Sequence, residues 1–332
     1  MNQLDKPKIA IIGCGYWGMN LVRNFYHLGV LDIVCDENQS SLDKVKHLYP
    51  KIQTTNNYKD VLKSDHIQAV AIATPAATHF KIAIEFLRKR KDVFVEKPVS
   101  LKLTDGIKLV KQANTGKNIL MVGHVLEYHP AILQTQKMVL DGTIGDLNYI
   151  YSNRLNFGKV RKEENILWSF APHDIAIILR IVGDTPISIS ASSADYLTPS
   201  VPDVTITNLS FKNGVKGHIH VSWLHPFKEH RLVVIGSKKM ITFDDVSKKL
   251  LLYDQHVEIK DNEIKPISGN VTNIDYSNKE PLKLECESFV KSIQTRKRPL
   301  TDGESGLRVL EVLENAQESI NNNGVSIITK QV

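Results

Sequence analysis

Ile9-Ala10-Ile11-Ile12-Gly13-Cys14-Gly15-Tyr16-Trp17-Gly18-Met19-Asn20-Leu21-Val22-Arg23-Asn24-Phe25 decides the fold. The apolar run Ile9 to Ile12 is too short for a helix and reads as a strand. It ends in glycines spaced Gly-x-Gly-x-x-Gly, after which the apolar residues recur at helical spacing. A strand, this glycine spacing and a helix together form a dinucleotide-binding turn. Gly13 permits the tight turn, Gly15 lets a pyrophosphate approach the backbone, and Gly18 lets helix and strand pack closely. Phosphate then meets the helix N-terminus, with Tyr16 and Trp17 beside it. Asp36 closes the next strand candidate, Asp32 to Cys35, where a carboxylate accepts hydrogen bonds from an adenosine ribose and disfavours a 2′-phosphate. The cofactor expected on these grounds is NAD.

The same rhythm continues to Gly123. Strands are predicted at Ala69 to Ala73, Val93 to Val95 and Ile119 to Val122, with helices near 17–28, 40–48, 57–63, 78–89 and 104–114. Alternating strands and helices indicate a doubly wound parallel sheet, a Rossmann domain over 1–123. From 124 to 332 the pattern changes. Helices near 130–141 and 170–182 and a strand at 147–156 precede strands near 187–196, 203–211, 216–224, 230–236, 239–244 and 248–253, some joined by turns such as Asn213-Gly214. An α/β substrate and oligomerisation domain with a large, open, mostly antiparallel sheet follows, and helices at 281–295 and 303–322 are candidates to return to the first domain.

Val93-Phe94-Val95-Glu96-Lys97-Pro98 places a lysine between an acid and a proline at the end of a predicted strand. Glu96 can pair with it, and Pro98 holds Lys97 extended and permits a cis bond. Ligands of open α/β sheets bind outside the carboxyl ends of the strands, so Lys97 and Glu96 fall beside the cofactor. Thr74-Pro75-Ala76-Ala77-Thr78-His79 ends another strand at the same edge, with Thr74, Pro75 and His79 as candidate cofactor contacts and Thr78 as a candidate cap. His173, in Trp168-Ser169-Phe170-Ala171-Pro172-His173-Asp174, is suited to remove a hydroxyl proton because its pKa lies near working pH. Arg154, Asn156 and Arg161 present donors on a strand and the turn after it, and an arginine fork suits phosphate oxygens. His218 and His220 share a strand face at metal-compatible spacing. Without an acid or cysteine partner they read as plain sheet residues, and no metal is expected.

Composition bounds the remainder. Of the 332 residues 42% are hydrophobic and 23% charged, within the range of globular proteins, and no run approaches a membrane span. The N-terminus lacks a basic-then-apolar leader and the three cysteines form neither a disulfide pattern nor a zinc spacing, so a cytoplasmic setting is expected. The formal charge of +6 is scattered, and its densest run, Arg88-Lys89-Arg90-Lys91, closes a helix where cations offset the dipole. Nucleic acid is not an expected partner. Alternation at Ile219, Val221 and Trp223 predicts an apolar sheet face and hence a homo-oligomer, a dimer or tetramer joined sheet to sheet.

The glycine fingerprint, Asp36, the Thr-Pro loop, Glu96-Lys97-Pro98, Gly123-His124, Gly142-Thr143-Ile144-Gly145, Pro172-His173-Asp174 and Arg298-Pro299-Leu300-Thr301-Asp302-Gly303-Glu304 resemble the glucose-fructose oxidoreductase/inositol dehydrogenase/MocA family over nearly the whole chain. The resemblance implies a Rossmann domain with an open-sheet α/β domain, NAD or NADP, and oxidation or reduction of a ring hydroxyl of a sugar or cyclitol. It makes Lys97 and His173 the catalytic pair, and adds His124, Tyr128 and Trp168 to Arg154, Asn156, Arg161 and His173 as candidate substrate contacts. Gly15-Tyr16-Trp17-Gly18, Asn20 to Phe25, Arg154-Leu155-Asn156 and Asn165 to Trp168 look like the nucleotide-sugar dehydrogenases of the family, which implies oxidation at C3 of a UDP-N-acetylhexosamine. Where many members carry an aspartate four residues before the histidine, this chain has Ser169. Two rival readings are a dehydrogenase or reductase of a free cyclitol, sugar or keto-sugar, and a dinucleotide-bound sensor without turnover.

Overall fold

The computed structural model describes residues 6–158, 160, 164–261 and 263–329. The chain divides into two compact units, one up to Tyr128 together with Lys279–Leu310, the other His129–Asn278 together with Glu311 onward. The division is discontinuous: the segment with the helix expected at 281–295 falls in the first unit, the helix expected at 303–322 is split between the two, and the first boundary follows Tyr128 rather than 123.

In the first unit six parallel strands take the order β3-β2-β1-β4-β5-β6. They are β1 (Ile9–Ile12), β2 (Leu31–Cys35), β3 (Gln53–Thr55), β4 (Ala69–Ile72), β5 (Asp92–Glu96) and β6 (Leu120–Gly123). This doubly wound order reverses between β1 and β4, which opens the binding crevice outside their carboxyl ends. Helices α1 (Gly18–His27), α2 (Gln39–Leu48), α3 (Tyr58–Lys63), α4 (Ala76–Arg88) and α5 (Leu103–Gly116) connect the strands. β3 was not foreseen, because Gln53-Thr54-Thr55 is a polar edge strand with no apolar pattern to read.

The helix Pro281–Thr295 closes the core of this unit. Phe289 stands edge-on to Phe94 of β5 and Phe25 of α1, at centroid distances of 5.7 and 6.3 Å, and all three are fully buried. Offset aromatic pairs of this kind add about 0.5–1.5 kcal/mol to the area they bury.

The second unit is built on a nine-stranded sheet, order β14-β13-β12-β11-β7-β10-β9-β8-β15, in which only the β7–β10 pair is parallel. The strands are β7 (Leu147–Phe157), β8 (Ser188–Ala194), β9 (Val204–Ser210), β10 (Lys216–Ser222), β11 (Leu224–Gly236), β12 (Met240–Asp244), β13 (Lys249–Lys260), β14 (Glu263–Asn273) and β15 (Ile327–Ile328). The Asn213-Gly214 turn joins β9 to β10, with Gly214 at φ +89°. Helices α6 (Pro130–Leu140) and α7 (Ile166–Val182) belong to the same unit; Pro281–Thr295 is α8, and α9 (Gly303–Asn321) follows.

Two expectations are corrected here. α7 starts at Ile166 rather than near 170, because Asn165 caps it by accepting from the Trp168 backbone N–H at 3.1 Å. His173 thus lies in the second turn and not at the helix opening. Ile219, Val221 and Trp223 are not an open face: α7 packs over β10, and all three are 0% exposed, with Phe170 edge-on to Trp223. The opposite face carries the alternate positions, half-buried Tyr149 and Tyr151 of β7 beside His218 of β10.

Candidate active site

The glycine loop sits at the carboxyl end of β1, and its three glycines have separate physical reasons. Gly13 takes φ +92°, and a Cβ there would lie 2.8 Å from the Ala73 carbonyl at the end of β4. A Cβ on Gly18 would lie 2.1 Å from the Gly13 carbonyl oxygen. At Gly15 a Cβ would meet nothing within 4 Å, so the missing side chain leaves open space beside the backbone. That space lies at the start of α1, which no side chain caps. An uncapped helix N-terminus with a bare backbone before it fits the pyrophosphate of a dinucleotide.

Asp36, at the end of β2, holds the loop from the other side. Its Oδ2 accepts the Cys14 N–H at 2.7 Å and its Oδ1 accepts the Asn38 N–H at 2.8 Å. Each oxygen keeps a lone pair for a ribose hydroxyl. Burial and the Asp36 charge push the Cys14 thiol up to about 12, so this loop cysteine is a packed neutral group. Tyr16 stands almost wholly in solvent, and Trp17 is partly exposed at the helix start.

β5 delivers Glu96 and Lys97 to the same crevice edge. The Lys97–Pro98 bond is cis. Glu96 is buried; burial pushes its carboxyl up to about 7, against the Trp17 indole N–H, the Lys97 charge and the Lys97 backbone N–H, all of which favour the anion. The indole Nε1–H donates to Glu96 Oε1 at 2.5 Å. A Cβ on Gly123 would come within 2.7 Å of Glu96 Oε2, so the glycine before His124 makes room for this carboxyl. Lys97 itself is half-buried.

The Thr74 loop follows β4. Thr78 was a candidate cap, but α4 has Pro75 at its N-cap and no side-chain cap; the Thr78 hydroxyl instead lies 2.8 Å from the Pro75 carbonyl and 2.7 Å from Thr74 Oγ1. His79 was a candidate cofactor contact, but its ring is 1% exposed and turned into the protein. Nδ1 lies 2.8 Å from the Pro98 carbonyl and Nε2 lies 2.8 Å from the Thr74 carbonyl. Burial lowers its pKa, the two carbonyls oppose that, and the Lys97 charge adds to it.

Tyr128 is likewise turned inward. It is 5% exposed, and its hydroxyl lies 3.3 Å from both Ser288 and Thr301 within the first unit, with burial pushing its pKa up to about 12. It does not present a hydroxyl to substrate. His124 is also buried, immediately after β6.

In the second unit His173 is half-buried on α7, one turn after buried Ser169. Arg154, expected to reach substrate phosphate, instead faces Asp174. Nε and Nη2 donate to the two carboxylate oxygens at 2.6 and 3.1 Å, and the Ser152 hydroxyl donates to Oδ1 at 2.5 Å. Asp174 is 1% exposed, a charge that the interior tolerates only with such a partner. The pair ties α7 to β7 next to His173. Trp168 points its indole N–H at Gln317 Oε1, 3.2 Å away. Asn156 has a buried Oδ1 with no hydrogen-bond partner among the described residues. Arg161 lies outside the described residues. His218 meets the Tyr149 hydroxyl at 2.5 Å. Among the described residues no group of three or more His, Cys, Asp or Glu is placed to hold a metal ion.

The sequence reading overlooked Glu285. It occupies the apolar stripe Leu282, Cys286, Phe289 of α8, is 0% exposed, and burial together with Glu96 and Glu127 raises its pKa well above the usual carboxylate value. An acid at a core position of an amphipathic helix was the available signal.

Sheet order, glycine loop and Asp36 together define an NAD-binding Rossmann oxidoreductase. Comparison with known families agrees: residues 7–124 match the oxidoreductase family with NAD-binding Rossmann fold of the GFO/IDH/MocA type, and residues 132–242 match the GFO/IDH/MocA C-terminal domain. The chain belongs to the GFO/IDH/MocA oxidoreductase family. Among its relatives, UDP-N-acetylglucosamine 3-dehydrogenase of Acidithiobacillus ferrooxidans is 23% identical over 310 residues, which cover 91% of this chain and 94% of that protein. A solved structure of that enzyme superposes with a TM-score of 0.82 at 21% identity, covering 95% of this chain and 98% of the other. Levoglucosan dehydrogenase in complex with NADH and levoglucosan gives a TM-score of 0.84 at 15% identity, covering 98% and 100%.

Proposed function

We propose that this protein oxidises the C3 hydroxyl of a UDP-N-acetylhexosamine, UDP-N-acetylglucosamine or its uronate, with NAD as hydride acceptor. The observation that carries the reading is Lys97, held by Glu96 at the carboxyl edge of a Rossmann sheet whose glycine loop is built for a dinucleotide. Similarity to UDP-N-acetylglucosamine 3-dehydrogenase over nearly all of both chains supports the choice of substrate.

Bound NAD supplies the acceptor for the hydride that leaves the carbinol carbon. His173 takes the hydroxyl proton, and the Lys97 ammonium stabilises the negative charge that develops on the same oxygen. Asp36 binds the ribose hydroxyls. His124, Asn156, Trp168 and Arg161 are the remaining candidates around the substrate, and Asn156 brings a buried oxygen still lacking a donor among the described residues.

Purified protein with NAD and UDP-N-acetylglucosamine should form NADH. General-base catalysis contributes about 10²- to 10⁴-fold, so His173→Ala should lose that much turnover and Lys97→Ala at least as much, with NAD binding retained. A Lys97→Ala protein that keeps most of the native rate would refute the assignment.

One observation favours a second reading. The Arg154 fork is engaged by Asp174, which removes one expected pyrophosphate donor and suits a free sugar or cyclitol. Turnover of such a sugar, unaffected by added UDP, would select it.

We also infer a homo-oligomer through the sheet face opposite α7, where the Tyr151 ring stacks on His218 at 4.8 Å beside Tyr149, with half-buried Leu251 in the same register. Three buried free cysteines suit a reducing compartment such as the cytoplasm.

A further inference from the structure

Lys97 lies between two residues that are each tied to a different segment of the cofactor crevice. On its N-terminal side, the Glu96 carboxyl accepts the Trp17 indole N–H at 2.5 Å and also the backbone N–H of Lys97 itself. Trp17 is the residue that opens α1, inside the glycine loop. On its C-terminal side, the Pro98 carbonyl faces His79 Nδ1 at 2.8 Å, and the other nitrogen of that ring faces the Thr74 carbonyl at 2.8 Å.

We propose that Trp17 and His79 are positioning residues that clamp Lys97 from both sides, Trp17 through Glu96 to the glycine loop and His79 through Pro98 to the Thr74 loop. The proposal rests on the assignment of Lys97 as the cation that acts on the reacting oxygen.

Burial argues that both contacts hold. Glu96 is 8% exposed and His79 is 1% exposed, so neither ring nor carboxyl has water as an alternative partner. A buried polar group deprived of its partner carries the full cost of its desolvation, which makes the paired geometry the stable one. The two contacts restrain different coordinates. Glu96 sets the entry of the chain into Lys97, whereas His79 sets its exit, and a segment anchored at only one end would swing about that end. A lysine side chain has four rotatable bonds and needs a rigid base if its ammonium is to meet one oxygen. Trp17 and His79 therefore act on the reaction without touching its substrate.

The imidazole chemistry adds a constraint. A neutral ring has one N–H and one lone pair, so it donates to only one of the two carbonyls at a time, whereas a charged ring donates to both. Glutamine at this position offers an amide NH2 on a side chain of similar reach and should restore one contact. Alanine restores none.

The test is a double-mutant cycle on the full-length protein with NAD and UDP-N-acetylglucosamine. A misplacement of about 1 Å costs on the order of 10²-fold, so Trp17→Phe and His79→Ala should each lower kcat by about 10- to 100-fold while the KM for NAD changes little. His79→Gln should recover part of the loss. In a Lys97→Ala background the same two substitutions should cost nothing further, because their effect runs through the missing ammonium. Equal losses in both backgrounds, or native kcat in the single variants, would overturn the clamp. A Lys97→Ala protein with native rate would instead overturn the assignment of Lys97.

A second measurement needs no substrate. Hydrogen exchange followed by mass spectrometry should show peptides spanning 96–100 exchanging about tenfold faster or more in Trp17→Phe and His79→Ala, with β1 peptides unchanged. Unchanged exchange at 96–100 would refute the clamp even if no substrate turned over. Acceleration of β1 as well would show general loosening of the unit, and would equally refute it.

Discussion

Replacing Arg154 by methionine should unfold the second unit more readily than any loss of substrate contact could. The guanidinium makes two hydrogen bonds to Asp174, at 2.6 and 3.1 Å, and the pair is nearly dry: the Arg154 side chain is 11% exposed and that of Asp174 is 1%. Methionine fills much of the same volume but takes both guanidinium donors from the buried carboxylate, which keeps the Ser152 hydroxyl. Breaking a buried ion pair by removing one partner costs about 3–5 kcal/mol, since the orphaned charge keeps its desolvation penalty. With a urea m-value of roughly 2 kcal/mol per molar, the midpoint should fall by about 1.5–2.5 M. Trp168 and Trp223 belong to this unit and report its transition by fluorescence. Arg154→Met combined with Asp174→Asn should regain much of the loss, because the charge goes with its partner and the Ser152 contact survives. If Arg154→Met stays within about 0.5 kcal/mol of the native protein, the arginine behaves as a surface group and the anchor assigned to it is wrong.

Asp36→Ala should narrow the preference for NAD over NADP, measured as the ratio of the two dissociation constants, and an unchanged ratio would mean that this carboxylate does not face the ribose. Glu96 has its carboxyl raised from 4.5 to about 7 in the folded protein. The folded state thus binds more protons between those values, so this group's contribution to stability is greatest below the unfolded value and declines as pH rises through about 7, by about 3 kcal/mol in all. Glu96→Gln should flatten that decline in urea midpoints measured from pH 5 to 8, and parallel curves for the two proteins would contradict it. On the sheet face opposite α7, Tyr151→Asp should shift sedimentation from oligomer toward monomer, and a native protein that is monomeric at all concentrations would dismiss that interface.

The nucleotide-binding half of the fold was legible because its constraints are local. A Gly-x-Gly-x-x-Gly turn needs its glycines wherever it occurs, since Gly13 takes φ +92° and Gly18 packs against the Gly13 carbonyl, and both needs are met within a few residues of chain. Strand and helix periods marked most of the other elements for the same reason, and failed at the edge strands: β3 and β14 are largely polar, and the two residues of β15 are too few to show a period. The positions of Lys97 at the end of β5 and Asp36 at the end of β2 follow from that alternation.

What the tertiary structure alone decided is which partner each polar side chain meets. Arg154 and Asp174 are 20 residues apart, on a strand and a helix, and nothing in either neighbourhood distinguishes an arginine aimed at phosphate from one aimed at a buried acid. The Tyr128 hydroxyl meets Thr301, 173 residues away. His79 looked like a residue of a cofactor loop, and its ring lies between two backbone carbonyls. Ile219, Val221 and Trp223 were read correctly as one apolar face, yet only the fold shows that α7 already covers it. Periodicity states that a face is buried without stating by what. Hydrophobic burial is non-directional and can be read from composition and spacing, whereas hydrogen bonds and ion pairs depend on geometry that exists only after distant segments have met.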